Sequence, residues 1–187
     1  YVTGTEPSTD GSTNAAGDGD EIRSSCNVIG LEIRDCLATY RPETADGTPD
    51  PASGCSTITS SEDVTWALED AVTNPRIKAV VLEIDSGGGS PVAAEEIVAA
   101  LKALDKTAVA WVRESADSAA YWVASAADTI IASKSSDIGS IGVTYSYVDN
   151  AKQNVQDGLT YNQLTTGKYK DTGTPDRALT VDERSLI

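Results

Sequence analysis

An α/β fold with parallel strands and right-handed crossovers is predicted by three observations. Strand-like and helix-like segments alternate at least three times after residue 26. The strand-like runs "IKAVVLEID" and "TAVAWVR" are almost continuously apolar, the pattern of strands covered on both faces. No segment repeats at a period of 20 to 50 residues, which excludes a solenoid.

The elements follow in order. Residues 1–25 are rich in Gly, Ser, Thr and Asp with few large apolar side chains, so they bury too little surface to offset ordering entropy and are expected to form a flexible tether. An ordered domain is expected over 26–187, opening with a strand at 27–35. A loop with three prolines follows at 37–54. Ser60, with Asp63 three residues on, predicts a helix start, and Val64, Leu68 and Val72 recur at helical spacing. Residues 77–85 form the next strand. "SGGGS" then leads into a helix from Pro91, with Ser90 as N-cap and proline at the first helical position. Residues 107–113 give another strand. An alanine-rich helix follows over about 118–127, and a short strand at 129–133.

Bulk properties narrow the function. The 187 residues carry a formal charge of −15, which excludes the basic surface that nucleic acid demands and argues against docking on anionic lipid. No run reaches the roughly 20 apolar residues of a membrane span. The chain lacks an initiating Met and a signal-peptide pattern, so it reads as a processed piece whose anchor, if one exists, lies outside it. Of the cysteines, Cys26 and Cys36 would lie roughly 30 Å apart along one strand, so any bridge must include Cys55. Cys36–Cys55 would staple the proline-rich loop and suit an extracytoplasmic protein; three buried free thiols fit the sequence as well. Without histidine or a CxxC pair no metal site is expected.

Two strand-to-helix junctions carry candidate chemistry. At Asp85–Ser90 the glycines let bare N–H groups face a ligand at a helix N-terminus, as an oxyanion hole or anion cradle, or they serve only as a turn. At the second, Ser118 is either a helix cap or a nucleophile. With no histidine in the chain, Ser–His–Asp chemistry is excluded and a nucleophile would need lysine or a carboxylate as base. Lys168 and Lys170 are the candidates, provided that desolvation lowers the amine from its ordinary value of about 10.4.

Four stretches together resemble the S49 serine peptidases, the signal peptide peptidase A (protease IV) family. They are "IDSGGGSPVAAEEI" (84–97), with Gly87 where proline is usual; "DSAAYWVASAAD" (117–128); an intact "GSIGV" (139–143); and "GKYKDTGTPDRALT" (167–180). The resemblance spans roughly 27–187 and implies a ClpP/crotonase-like fold of repeated ββα units. It implies Ser118 as nucleophile, Lys170 as general base and Ser140 as the residue orienting that lysine. The N–H groups of Gly89 and Ala119, with Gly88 beside them, would form the oxyanion hole. Lys168 falls where the family varies.

No cofactor is implied. The resemblance further implies hydrophobic, signal-peptide-like substrates and a periplasmic or cell-surface location with membrane tethering. It implies a homo-oligomer in which one protomer's lysine completes its neighbour's site. The family domain continues past residue 187. Three departures stand out: Ala119 and Ala120 replace a glycine pair, and Asp117 replaces a small residue. An alanine resists positive φ, and a carboxylate near a group that must ionise opposes its ionisation. Two further functions therefore stay open: a catalytically impaired, peptide-binding scaffold, and an acyl-CoA enzyme of the crotonase type.

Overall fold

The computed structural model describes residues 27–41 and 55–187. The expected tether at 1–25, Cys26 and most of the proline-rich loop lie outside the described residues. The chain divides into two compact units, Tyr1–Ile141 and Gly142–Ile187.

The first unit is a parallel sheet with helices packed against it. Its strands are β1 (Val28–Ala38), β2 (Ile58–Ser60), β3 (Ala79–Gly89), β4 (Thr107–Asp117), β5 (Thr129–Ala132) and β6 (Asp137–Gly139). The order is β2-β1-β3-β4-β5, and β6 pairs with the far end of β4. Every pairing is parallel. Helices α1 (Ser61–Thr73), α2 (Pro91–Ala103) and α3 (Ala119–Ala124) connect them.

The caps form as the sequence predicts. Ser60 accepts from the Asp63 N–H, and Ser90 accepts from the Ala93 N–H with Pro91 opening α2. The α1 core stripe is Ser61, Val64, Leu68 and Ala71; Val72, expected in the core, is exposed because Ala71 takes the inward position.

The sheet corrects the expectation of two buried faces. Along β3, Val80, Leu82, Ile84 and Ser86 are buried, and from its neighbours Leu31, Ile33, Ala108, Ala110 and Val112 join them. With the side chains of α1 and α2 these make one continuous core. Each fully buried Leu or Ile there contributes about 1.5–3 kcal/mol. The alternate positions instead carry a half-exposed ladder. Arg34 pairs with Glu32 (3.2 Å) and Glu83 (3.1 Å), and Arg113 reaches Glu83 (2.8 Å) while lying over the Trp111 ring.

Strand ends also differ from the sequence reading. β1, β3 and β4 each run about four residues further, because the extra backbone finds parallel partners: Leu37 opposite Gly89, and Ser86 opposite Ala116. The helix expected over 118–127 is the shorter 119–124. Cys36 and Cys55 are joined by a disulfide (Cα–Cα 6.0 Å), which ties the start of the β2 segment to β1.

The second unit contains α4 (Ala151–Gln156) and α5 (Val181–Arg184) among turns. Asn150 N–H donates to the Pro175 carbonyl (2.6 Å), and Tyr145 stacks on Tyr147. Among the described residues, no helix is long and apolar enough to cross a membrane.

Candidate active site

Ser118 occupies the single residue between β4 and α3. Its backbone has φ 53° and ψ −120°, a region that L-residues avoid, and its hydroxyl makes no helix-capping hydrogen bond. Ser118 thus holds the N-cap position of α3 without using its side chain as the cap. Strained non-glycine backbone of this kind costs about 1–3 kcal/mol and concentrates at functional sites. The turn is held from three sides. Ser118 N–H donates to the Gly139 carbonyl (2.8 Å), Trp122 N–H closes back on the Ser118 carbonyl (3.1 Å), and Gly88 packs against the turn.

Gly88 has no room for a side chain. A Cβ there would sit 2.8 Å from the Asp117 carbonyl, 2.9 Å from Ser118 Cβ and 3.0 Å from the Ala119 nitrogen. Its φ of +101° is equally restrictive. Gly88 is buried and its N–H donates to Ser86 Oγ (3.1 Å), so that donor is engaged inside the loop. Gly89 is exposed next to it, with φ +149° and its Cα pressed on the Leu37 backbone. Ala119 opens α3, where a first-turn N–H has no acceptor within its own helix.

The alanine pair does not disturb this turn. The positive φ falls on Ser118, not on Ala119 or Ala120, and both alanines are buried helical residues. The small side chains let α3 seat closely on the sheet.

Ser140 follows directly on the carbonyl that receives the Ser118 N–H, so β6 carries the two serines together. Ser140 is exposed and also left-handed, with φ 49°. Among the described residues, the remaining non-glycine residue with positive φ, Asp35 (φ 53°), forms a bulge in β1. Its carbonyl accepts from buried Ser86 Oγ (2.5 Å), and its carboxylate accepts from the N–H groups of Ser56 (2.7 Å) and Thr57 (2.9 Å). Asp35 and Ser86 thus brace the glycine loop from behind. Neither stood out in sequence, since an Asp at a strand end and a Ser before glycines are ordinary. Asp35, Cys36 and Cys55 cluster as metal sites do, but the two sulfurs are bonded to each other.

The two lysines lie in the second unit. Lys168 Nζ is paired with Asp182 (2.7 Å) and lies over the Tyr169 ring; the Asp182 carboxylate holds its amine above the ordinary lysine value. Lys170 is exposed, and its ammonium has no partner among the described residues. The segment around them is tied by Arg177 and Glu183. Their bidentate pair (2.8 and 2.6 Å) holds the Glu183 carboxyl far below the usual carboxylate range.

Comparison with known proteins adds the ancestry. Residues 100–187 match the model of peptidase family S49, a span that includes Ser118, Ser140 and Lys170 but not the glycine loop. The chain is 33% identical over 122 residues to a Methanocaldococcus jannaschii protein named as a candidate protease, covering 64% of this chain and 39% of that one. It is 37% identical over 101 residues to Protease 4 of Salmonella typhi, covering 52% of this chain and 16% of that protein. The chain thus spans well under half the length of these relatives. Among solved structures, a point mutant of the 1510-N membrane-bound stomatin-specific protease superposes with a TM-score of 0.50 at 17% identity, over 66% of this chain and 51% of that one. That likeness speaks for the fold, the parallel-sheet α/β type expected from the sequence. Over residues 100–187 the chain is accordingly similar to peptidase family S49, and the curated proteins it aligns with include proteases.

Proposed function

We propose that this chain carries the catalytic groups of a serine endopeptidase that uses a Ser118/Lys170 dyad. The observation that carries the reading is the Ser118 turn: a strained serine without a capping bond, seated against a glycine that tolerates no side chain. Neutral Lys170 takes the Ser118 proton as Oγ attacks the scissile carbonyl. The carbonyl oxygen becomes an oxyanion facing the N–H groups of Gly89 and Ala119, each worth about 3 kcal/mol in such sites. The C–N bond then breaks, the leaving amine takes the proton from Lys170, and water hydrolyses the ester to restore Ser118. Lys168 is a poorer base because its partner favours the protonated form.

The substrates are hydrophobic, signal-peptide-like peptides, and the location is extracytoplasmic. The disulfide supports an oxidising compartment. The exposed Lys170 must be desolvated to work as a base, which supports a homo-oligomer whose neighbour covers it. Apolar surface in the second unit agrees: Val143, Val148, Val155, Leu164 and Val181 are each at least three-quarters exposed.

The test is hydrolysis of a quenched hydrophobic peptide from pH 6 to 10, on a chain extended past Ile187, beside Ser118→Ala, Lys170→Ala and Lys168→Ala. Loss of turnover in the first two, with Lys168→Ala active, is expected. An assembled parent that binds peptide and resists fluorophosphonate labelling would instead be a peptide-binding relative, and coenzyme A binding would point to the crotonase-type alternative.

A further inference from the structure

The stretch that bears Lys170 lacks regular structure. Residues 157–180 form turns and coil, so almost none of their backbone is held by a ladder. A general base must nevertheless be held within a fraction of an ångström of its target. Something other than secondary structure has to fix it.

Glu183 is the most buried side chain of this unit, 3% exposed although ionised. Both its oxygens are spoken for. Arg177 Nη1 donates to Oε2 (2.8 Å) and Nη2 to Oε1 (2.6 Å), while the Thr180 N–H and hydroxyl both donate to Oε2. The pair then reaches the residues immediately after the lysine. Arg177 Nη2 donates to the Asp171 carbonyl (3.3 Å), and Thr172 Oγ1 donates to Glu183 Oε1 (3.4 Å). On the other flank Lys168 is tied to Asp182, the residue preceding Glu183 on α5. The Asp171 carboxylate accepts from Tyr161. Residues 168, 171 and 172 are thus all anchored to Arg177 or α5, and only the Lys170 ammonium between them has no partner among the described residues. Arg177 Nε is buried without an acceptor among the described residues, as is Arg34 Nε in the sheet ladder.

We propose that Arg177 and Glu183 are positioning residues for Lys170: their bidentate pair fixes the backbone after the lysine so that its amine is presented free. This rests on the reading of Lys170 as the general base. The fork of Arg177 bonds both carboxylate oxygens and the Asp171 carbonyl at once, which a lysine ammonium cannot reproduce. Arg177→Lys should therefore behave like Arg177→Ala.

The experiment compares the parent, Lys170→Ala, Arg177→Ala, Arg177→Lys, Glu183→Gln and Thr172→Val in the extended chain. Each is assayed on the quenched peptide below its melting temperature, with active sites titrated by fluorophosphonate. The expected result for the Arg177 and Glu183 variants is kcat per titrated site lowered at least tenfold, KM within twofold, and a pH–rate profile displaced to higher pH. A merely structural role would lower the titre and leave kcat and the profile in place. That outcome overturns the proposal. Thr172→Val removes one link and leaves the buried pair intact; kcat should fall a few-fold with melting unchanged, and an unchanged kcat counts against the proposal even if the other variants fail to fold. Full turnover in Lys170→Ala would remove the base assignment and this inference with it. An inactive Lys170→Ala beside fully active Arg177 and Glu183 variants removes the inference alone.

Discussion

Replacing Ser118 by glycine should make the protein more stable than replacing it by alanine. Both substitutions remove the nucleophile, so both should be inert, and they differ only in the Cβ. Alanine keeps the Cβ and with it the steric cost of φ 53° and ψ −120°, about 1–3 kcal/mol. Glycine releases that strain but returns about 0.5–1 kcal/mol through the greater freedom of the unfolded chain. The packing of Cβ on Gly88, which glycine forgoes, amounts to a few atom pairs at about 0.1–0.2 kcal/mol each, too little to change the sign. The net difference is about 1 kcal/mol in favour of glycine, or about 2–4 °C in melting temperature for a chain of this size. Thermal unfolding of the two variants at one pH, followed by circular dichroism, measures it. Equal melting points, or a lower one for glycine, would refute the claim that this turn stores strain.

Three more outcomes are expected. Reducing the Cys36–Cys55 bond should destabilise the first unit by about 3 kcal/mol from loop entropy, given the sequence separation of 19; denaturant titration with and without reductant measures this. Gly89→Ala should cost about 3 kcal/mol or more, since its Cβ would lie 2.2 Å from the Leu37 carbonyl oxygen at a φ of +149°. Gly87→Ala, with open space around it, should stay within about 0.5 kcal/mol, as chemical unfolding of the two variants would show. Glu183 binds its proton less readily folded than unfolded. Its contribution is therefore fully present above the unfolded value of about 4.3 and fades as pH falls below it. Acid unfolding should be less steep in Glu183→Gln than in the parent.

What the sequence determined by itself was local. Ser60 and Ser90 cap their helices because the side chain that accepts and the N–H that donates lie three residues apart. The apolar runs at 77–85 and 107–113 supplied the central strands β3 and β4. Four motif stretches in order, the glycine loop, the Ser118 segment, Gly-Ser-Ile-Gly-Val and the lysine segment, carried the resemblance to the S49 family. Tertiary structure decided whatever depends on residues distant in the chain. The half-exposed sheet face was hidden in the sequence because Arg34, Glu83 and Arg113 are satisfied by one another across three strands. The choice between disulfide and free thiols for Cys36 and Cys55 waited on the pairing of β1 with β2. The strand β6 is three residues long, too short for periodicity to signal, and exists because β4 offers it a partner. Above all, the positive φ expected to trouble Ala119 and Ala120 falls on Ser118. That outcome is set by the Gly139 carbonyl and the bare Cα of Gly88, which meet the turn from two other strands. Periodicity and capping act over a few residues and are visible along the chain; strain and close approach arise only where separate strands converge.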